Sequence, residues 1–315
     1  MRIDGRKIAE IILSYTRLRL AKLKNKKLCL SAVYIGKDPD QLGYLKKKEN
    51  TANLLGIKFN LIHIKNQPSF EEFATVIRNT ATDPKTTGVI IQQPLPPELQ
   101  TNTIYDFIPN IKEIEGFSPK SPFYPPIGLA VLTILKYIYL SGIYKNPEEK
   151  PKDLIIYPEI REKYLHKIYQ NPEDAKLDKF FFKDVFADKK IVLVGRGLTG
   201  GKPAAFTLNE FGINFLNVNS ATPNPENFYK QADIIISAVG KKILKPEYLK
   251  EGAILISIGQ HKQNGQIQAD YDEQEIKDIA KFYTPAAGGV GPVNIAYIYK
   301  NLVESALLQE KKIKF

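Results

Sequence analysis

With 315 residues, 43% of them apolar and 25% charged, the chain has the composition of a soluble globular protein and the length of two domains. A single cysteine excludes an intrachain disulfide framework, and three scattered histidines give no metal-ligand spacing, so no metal is expected. The net charge of +11 comes from lysines spread along the whole chain rather than from one basic stripe with interleaved aromatics, which argues against a nucleic-acid partner.

The first residues, Met1 to Lys7, lead into a helix and lack the apolar core of a signal peptide. No apolar run approaches the ~18 residues of a membrane span, so a cytoplasmic protein with no membrane partner is expected. Ile3 to Leu20 has helical spacing, and Leu28 to Ile35, which includes Cys29, reads as a core strand. Asp38 is placed to cap a helix with Pro39 at its first position; that helix runs towards Leu55, where Gly56 closes it. Phe59 to Ile64 reads as a strand, Phe70 to Asn79 as a helix and Gly88 to Gln92 as a third strand. This alternation predicts a parallel sheet with helices on both faces.

Ile127 to Leu140 reads as an apolar helix ended by Gly142. A second alternating section begins at Lys190: strand Ile191 to Val194, a glycine-rich turn, helix Pro203 to Phe211, and strands Asn214 to Val218, Ile234 to Ala238 and Ile254 to Ile258. It has the pattern of a Rossmann-like unit, and a last helix starts near Val293 and runs to about Glu310. Between the two sections, 144–188 differs in character, with many charges, prolines and aromatics (Tyr144, Tyr157, Tyr164, Tyr169, Phe180 to Phe182). Ile160, Tyr164, Leu165 and Ile168 have the spacing of one helical face, and the aromatics favour packing onto the body of the protein.

The turn Gly195-Arg196-Gly197-Leu198-Thr199-Gly200 follows a strand and opens a helix, the setting in which backbone N–H groups approach a pyrophosphate at the positive helix end. NAD sites usually carry an acid about 20 residues on, to bind the ribose 2′-hydroxyl. Here the next strand ends Asn219-Ser220-Ala221-Thr222, without an acid, while Arg196 sits inside the turn. An arginine donates paired charge-assisted bonds to a phosphate, so NADP is favoured over NAD, with Arg196 and Ser220 near the 2′-phosphate. The strand ending at Ala238 leads into Gly240, where backbone contacts to the cofactor are expected.

Tyr44 and Lys48 share one helix face at i, i+4. Gln92 emerges at the carboxyl end of a buried strand, and Glu115 precedes Gly116 in a loop. Each is unremarkable alone: a solvated lysine, a loop-capping amide, an exposed acid. The string Thr284 to Pro292, with Gly288, Gly289, Gly291 and Pro292, is a rigid turn with exposed amides just before a helix.

Taken in order, these strings resemble the methylenetetrahydrofolate dehydrogenase/cyclohydrolase family. Tyr44 and Lys48 match its tyrosine-x-x-x-lysine motif, Gln92 its strand-end glutamine, 112–117 its acidic loop and 287–292 its glycine-rich loop. Gly195-Arg196 matches its cofactor turn and Ser220-Ala221-Thr222 its serine-x-threonine, which adds Thr222 to the implied cofactor residues. The likeness covers the chain outside 144–188. Departures are Gln41 for serine, Glu115 for aspartate, Phe123 to Pro126 for a Pro-Cys-Thr-Pro string, Ala287 for proline and Asn294 for threonine.

The resemblance implies an α/β protein of two domains flanking a cleft. Residues 1–127 and 293–315 would form the catalytic, folate-binding domain, and 128–292 the NADP-binding domain, with an insert at about 144–188. It also implies a homodimer acting on tetrahydrofolate derivatives. Lys48 would carry the proton transfer of the hydrolytic step and Gln92 would tune it. Tyr44 would stack on the folate, Glu115 would hold the amino-pyrimidine edge of the pterin, and Gly288, Gly289 and Pro292 would line the substrate site. Lys48, Gln92 and Glu115 should therefore converge beside the nicotinamide pocket. Alternatives are a dehydrogenase without the hydrolytic step, a non-catalytic folate- or nucleotide-binding module, and a shikimate-type dehydrogenase, the last leaving the 288–292 loop unexplained.

Overall fold

The computed structural model describes residues 1–24, 26–141, 151–157, 160–168 and 177–315. Gly142, Tyr144 and Tyr169, named above, lie outside them. In chain order the first elements are α1 (Gly5–Leu20), β1 (Cys29–Ile35), α2 (Pro39–Leu55), β2 (Lys58–Ile64), α3 (Phe70–Thr82) and β3 (Gly88–Ile91). There follow α4 (Pro126–Leu140), α5 (Pro151–Leu154), α6 (Leu177–Phe186), β4 (Ile191–Val194), α7 (Gly201–Glu210), β5 (Leu216–Val218) and α8 (Glu226–Tyr229). The remainder is β6 (Ile234–Ser237), β7 (Ile254–Ser257), the hairpin β8 (His261–Gln263) and β9 (Gln266–Gln268), α9 (Glu273–Ile276), β10 (Phe282–Tyr283) and α10 (Val290–Glu310). Among the described residues no helix is long and apolar enough to cross a membrane.

The chain divides into two compact units. One comprises Leu13–Pro126, Glu159–Ile168 and Ile295–Phe315; the other comprises Met1–Ile12, Ile127–Pro158 and Tyr169–Asn294.

The first unit is built on a three-stranded parallel sheet in the order β2-β1-β3. The central strand is buried at every residue because its alternating side chains serve two cores. Leu30, Ala32 and Tyr34 pack with Leu45, Ala52 and Leu55 of α2 and with Ile298, Tyr299 and Leu302 of α10. Val33 and Ile35 pack on the other side with Phe73 and Ile77 of α3. Local signals fix the helix ends: the Asp38 carboxylate accepts from Asp40 N at 2.7 Å, Gly56 closes α2 in the left-handed region, and Ser69 with Glu72 forms a capping box on α3.

The second unit carries a five-stranded, all-parallel sheet in the order β10-β7-β6-β4-β5. The chain leaves β4 for β5 on one side and then returns to β6 on the other. The strand order thus reverses at the carboxyl end of β4, the position where such sheets bind ligands.

Two segments cluster differently from the sequence reading. Met1–Ile12 belongs to the second unit because Arg2 pairs with Tyr283: Ile3 N donates to Tyr283 O at 2.8 Å and Tyr283 N to Met1 O at 3.0 Å. The described parts of 144–188 are shared between the units. In α6, Phe182 stacks on Phe186 and meets Phe211 edge-on, and Asp178 forms a buried ion pair with Lys136 at 2.6 Å, all in the second unit. The stretch around Ile160 joins the first unit, where 162–167 forms a 3-10 helix rather than an α-helical face; Ile160 and Leu165 are buried there, and Tyr164 and Ile168 are half-buried.

Candidate active site

In the first unit, α2 and β3 deliver their polar residues to one place. Lys48 follows Leu45 by three residues on the buried face of α2, so its amine is drawn into the core side of the sheet and the residue is only 4% exposed. Its Nζ donates to Gln92 Oε1 at 3.0 Å. Gln92 continues the β3 ladder, with its N–H on Val33 O at 2.9 Å, and its own Nε2 donates to Gln93 O at 2.7 Å. That second bond fixes which end of the amide faces the lysine. Tyr44, one turn earlier on α2, sets its ring 5.6 Å from the Lys48 amine. The main chain is held too, since buried Tyr299 of α10 donates its hydroxyl to Lys48 O at 2.6 Å.

Glu115 completes the group. The segment before it runs alongside β3, with Glu113 bridged to Val89, and this brings the Glu115 carboxylate to Ile91 N at 3.1 Å. Gln41, one turn before Tyr44, donates to Pro94 O at 3.4 Å and leaves its own carbonyl oxygen buried without a partner.

Burial decides the charges here. It lowers the Lys48 amine below the ordinary lysine value, with Glu115 opposing the shift. It pushes Glu115 up to about 7, against the pull of Lys48 and the bond from Ile91 and with added repulsion from Glu113. An amine with a lowered pKa beside an acid that titrates near 7, within one buried cluster, is suited to moving protons near neutral pH.

In the second unit, Val194, Gly195, Arg196 and Gly197 after β4, Asn219 and Ser220 after β5, and Ala238 and Val239 after β6 line a cavity of about 530 Å³. Gly195 has φ +100°, and a Cβ there would stand 2.6 Å from Ala238 O, so only glycine permits this close passage of two strand ends. The Arg196 guanidinium is exposed and reaches Asn219 Oδ1 at 3.4 Å. Ser220 is exposed on the wall, whereas Thr222 turns its hydroxyl inward to accept from Asn219 N at 3.1 Å. Gly200 is buried and opens α7. Arg196 and Lys241 contribute two cations to the lining and Glu226 one carboxylate, a balance that suits an anionic ligand.

Gly288, Gly289 and Pro292 belong to this second unit. Gly288 O accepts from Gly5 N at 2.8 Å, Gly289 lies against the Gly5 backbone, and Pro292 is in the first turn of α10. The structure thus brings Tyr44, Lys48, Gln92 and Glu115 together in one unit and the cofactor-turn residues together in the other.

Asp270 escaped the sequence reading. It is fully buried, and its carboxylate accepts from Val239 N at 3.0 Å, Gly240 N at 2.8 Å and Lys241 N at 3.1 Å, so it shapes the loop after β6. An acid between Ala269 and Tyr271, both buried, was the available signal. Glu113 was also passed over as an organising group; it accepts from Glu115 N at 3.0 Å and Ser118 N at 3.2 Å.

Against known proteins, the catalytic-domain model of the tetrahydrofolate dehydrogenase/cyclohydrolase family matches residues 3–115, and its NAD(P)-binding-domain model matches residues 182–310. The chain belongs to the tetrahydrofolate dehydrogenase/cyclohydrolase family. Relatives in that family include the bifunctional protein FolD 2 of Desulfitobacterium hafniense, 28% identical with 98% of each chain covered. The bifunctional protein FolD 2 of Lactobacillus johnsonii is 29% identical, covering 96% of this chain and 95% of its own. The fold is shared with the bifunctional FolD dehydrogenase/cyclohydrolase of Campylobacter jejuni, at a TM-score of 0.77, 24% identity and coverage of 98% and 99%. It is shared too with the Trypanosoma brucei FolD complexed with NADP and an inhibitor, at a TM-score of 0.77, 21% identity and coverage of 99% and 98%. The catalytic match contains β1 to β3 and Lys48, and the NAD(P)-binding match contains the five-stranded sheet and Gly195.

Proposed function

We propose that the chain oxidises 5,10-methylenetetrahydrofolate with NADP and hydrolyses the resulting methenyl compound to 10-formyltetrahydrofolate. The observation that carries the reading is the buried amine of Lys48, held 3.0 Å from the Gln92 carbonyl and electrostatically linked to Glu115. Binding a folate would not require an amine with a lowered pKa; moving a proton would.

Gly195, Arg196, Gly197 and Ser220 of the cavity lining are assigned to holding NADP, together with Gly200 at the start of α7 and Gly240 after β6, and the Thr222 hydroxyl braces the turn behind Ser220. When bound, NADP supplies the hydride acceptor. The exposed Arg196 guanidinium matches a 2′-phosphate, and Asn219-Ser220 provides no acid to repel it.

The chain's own groups supply orientation and proton transfer. Tyr44 presents its ring to the flat substrate, and Glu115 accepts hydrogen bonds from the amino-pyrimidine edge once it is ionised. The hydride step then needs alignment more than a base, because the product cation is shared by two nitrogens. In the hydrolytic step a water adds to the bridging carbon, and the neutral Lys48 amine accepts its proton. The ammonium so formed, steadied by Gln92, returns the proton to N5 as the carbon–nitrogen bond breaks, and the carbinol hydroxyl releases its own proton to solvent as the formyl carbonyl forms. Gly288, Gly289 and Pro292 are assigned to the substrate site on the family resemblance. We further infer a cytoplasmic homodimer; light scattering on the purified protein tests the assembly.

The direct test supplies 5,10-methylenetetrahydrofolate with NADP or NAD and follows both reduced cofactor and methenyl compound. Reduced cofactor with transient methenyl accumulation supports the two-step reading. Stable methenyl accumulation would instead favour the dehydrogenase lacking hydrolysis, the reading to which Gln41 and Glu115 point.

A further inference from the structure

The loop carrying Glu115 is gripped by a segment that the family resemblance does not cover. Ile160 forms an antiparallel bridge with Phe123, Arg161 N donates to Pro122 O at 2.8 Å, and Glu162 N donates to Tyr124 Oη at 3.2 Å. Tyr164 Oη reaches Lys120 O at 2.8 Å, and Lys163 Nζ reaches Pro119 O. The stretch from Ile160 to Tyr164 therefore straps residues 119–124.

At the centre of the strap is Arg161, only 3% exposed. Its Nε donates to Phe123 O at 2.8 Å, and its Nη2 donates to Gly116 O, the carbonyl next to Glu115. Gly116 has φ +70° and lies so close to Phe123 O and Pro125 N that a Cβ would stand within 2.8 Å of both. One planar guanidinium thus joins two turns of backbone that pack without side chains between them. Arg161 also offsets part of the burial cost of Glu113, and Glu113 in turn receives the Glu115 N–H at 3.0 Å. Asn301 of α10 braces the far side, donating to Ile114 O at 2.9 Å and Tyr124 O at 3.1 Å.

A strap that only covered the loop would not need a buried guanidinium, whose desolvation is expensive without full pairing. Here the charge is matched by the carbonyls on either side of the acid's turn and by Glu113. We infer that Arg161 is a positioning residue: the 160–164 strap uses its guanidinium to set the backbone from which the Glu115 carboxylate meets the folate. The inference rests on the proposed role of Glu115.

The test is a cycle of four full-length proteins: wild type, Arg161→Gln, Glu115→Gln and the double variant. KM is measured for 5,10-methylenetetrahydrofolate and for NADP. Arg161→Gln is expected to raise the folate KM about tenfold to a hundredfold, the usual cost of an ångström of misplacement. The NADP KM should stay within about twofold, and in the Glu115→Gln background the added penalty should shrink to about twofold, the limit of simple additivity. Arg161→Lys, whose ammonium lacks the planar fork, should fall between wild type and glutamine, and it decides by the same criteria if the glutamine variant does not fold. An unchanged folate KM, or an equal penalty in both backgrounds, overturns the inference while leaving Glu115 in place. If Glu115→Gln itself leaves the folate KM unchanged, the reading of Glu115 falls and the inference with it.

Discussion

The Nζ of Lys48 lies 3.0 Å from Oε1 of Gln92, and the amide cannot turn round without giving up its own bond to Gln93 O at 2.7 Å. The lysine therefore faces an acceptor that favours its ammonium form inside a site whose burial disfavours it. Poise between those two effects makes the amine usable in both directions of proton transfer.

Removing the acceptor should unbalance that poise. In Gln92→Leu the ammonium loses a hydrogen bond worth about 1.5–3 kcal/mol, or about one to two pH units. The Lys48 value then drops further below the ordinary one, so the corresponding limb of the methenyl-hydrolysis pH profile moves to lower pH. Its rate at neutral pH is expected to fall about tenfold or more as the amine loses orientation. A rate–pH series on wild type and variant checks both.

Glu115 sets a second pH dependence. Its acid is pushed up to about 7, chiefly by burial, and only its ionised form accepts two hydrogen bonds from a pterin edge. Going down in pH protonates the group, so kcat/KM for methylenetetrahydrofolate should decline as pH falls through about 7. In Glu115→Gln that limb should vanish, with the folate KM raised about tenfold or more. Glu115→Asp, which restores the family's usual residue, should keep the limb.

The turn after β4 makes a prediction about cofactor choice. Arg196→Ala removes a guanidinium able to form charge-assisted bonds of about 1.5–3 kcal/mol with a 2′-phosphate. The NADP KM should rise about tenfold or more, with NAD kinetics nearly unaltered. Equal effects on the two cofactors would take Arg196 away from the phosphate.

Tyr299 tests the support beneath Lys48. Its hydroxyl donates to Lys48 O at 2.6 Å in a buried setting. Tyr299→Phe removes this second bond to a carbonyl inside α2 and should lower unfolding free energy by about 0.5–1.5 kcal/mol in urea titration. The hydrolytic rate should fall more than the NADP affinity does.

Much of this architecture was legible where the determining interactions are local. Asp38, Pro39 and Gly56 bound α2 by capping chemistry that needs no tertiary information, and the β-branched run at Ile234 to Ile236 reads as a buried strand. The Tyr44–Lys48 pair followed from helical spacing, and Gln92 from its place at a strand's carboxyl end. What escaped depends on long-range pairing. Asp270 receives amides 29 to 31 residues away, and Arg161 serves carbonyls 38 and 45 residues away, distances at which no local pattern signals a partner. The same limit explains why the clustering of Met1–Ile12 with the second unit has no signal in the sequence: its backbone partner is Tyr283, far along the chain. Among the described residues of 144–188, Phe182 and Leu165 are buried while Phe180 is exposed, and aromatic content alone held no information on which unit each part would join.

The claim on which the rest depends is that the Lys48 amine moves the proton of hydrolysis. Lys48→Met fills nearly the same buried volume without a titratable group, and folding is confirmed by NADP binding and thermal melting. Hydrolysis of 5,10-methenyltetrahydrofolate, measured without cofactor, is expected to fall by about a hundredfold or more, the usual share of a positioned acid–base group. Hydrolysis at the wild-type rate in that variant would contradict the account.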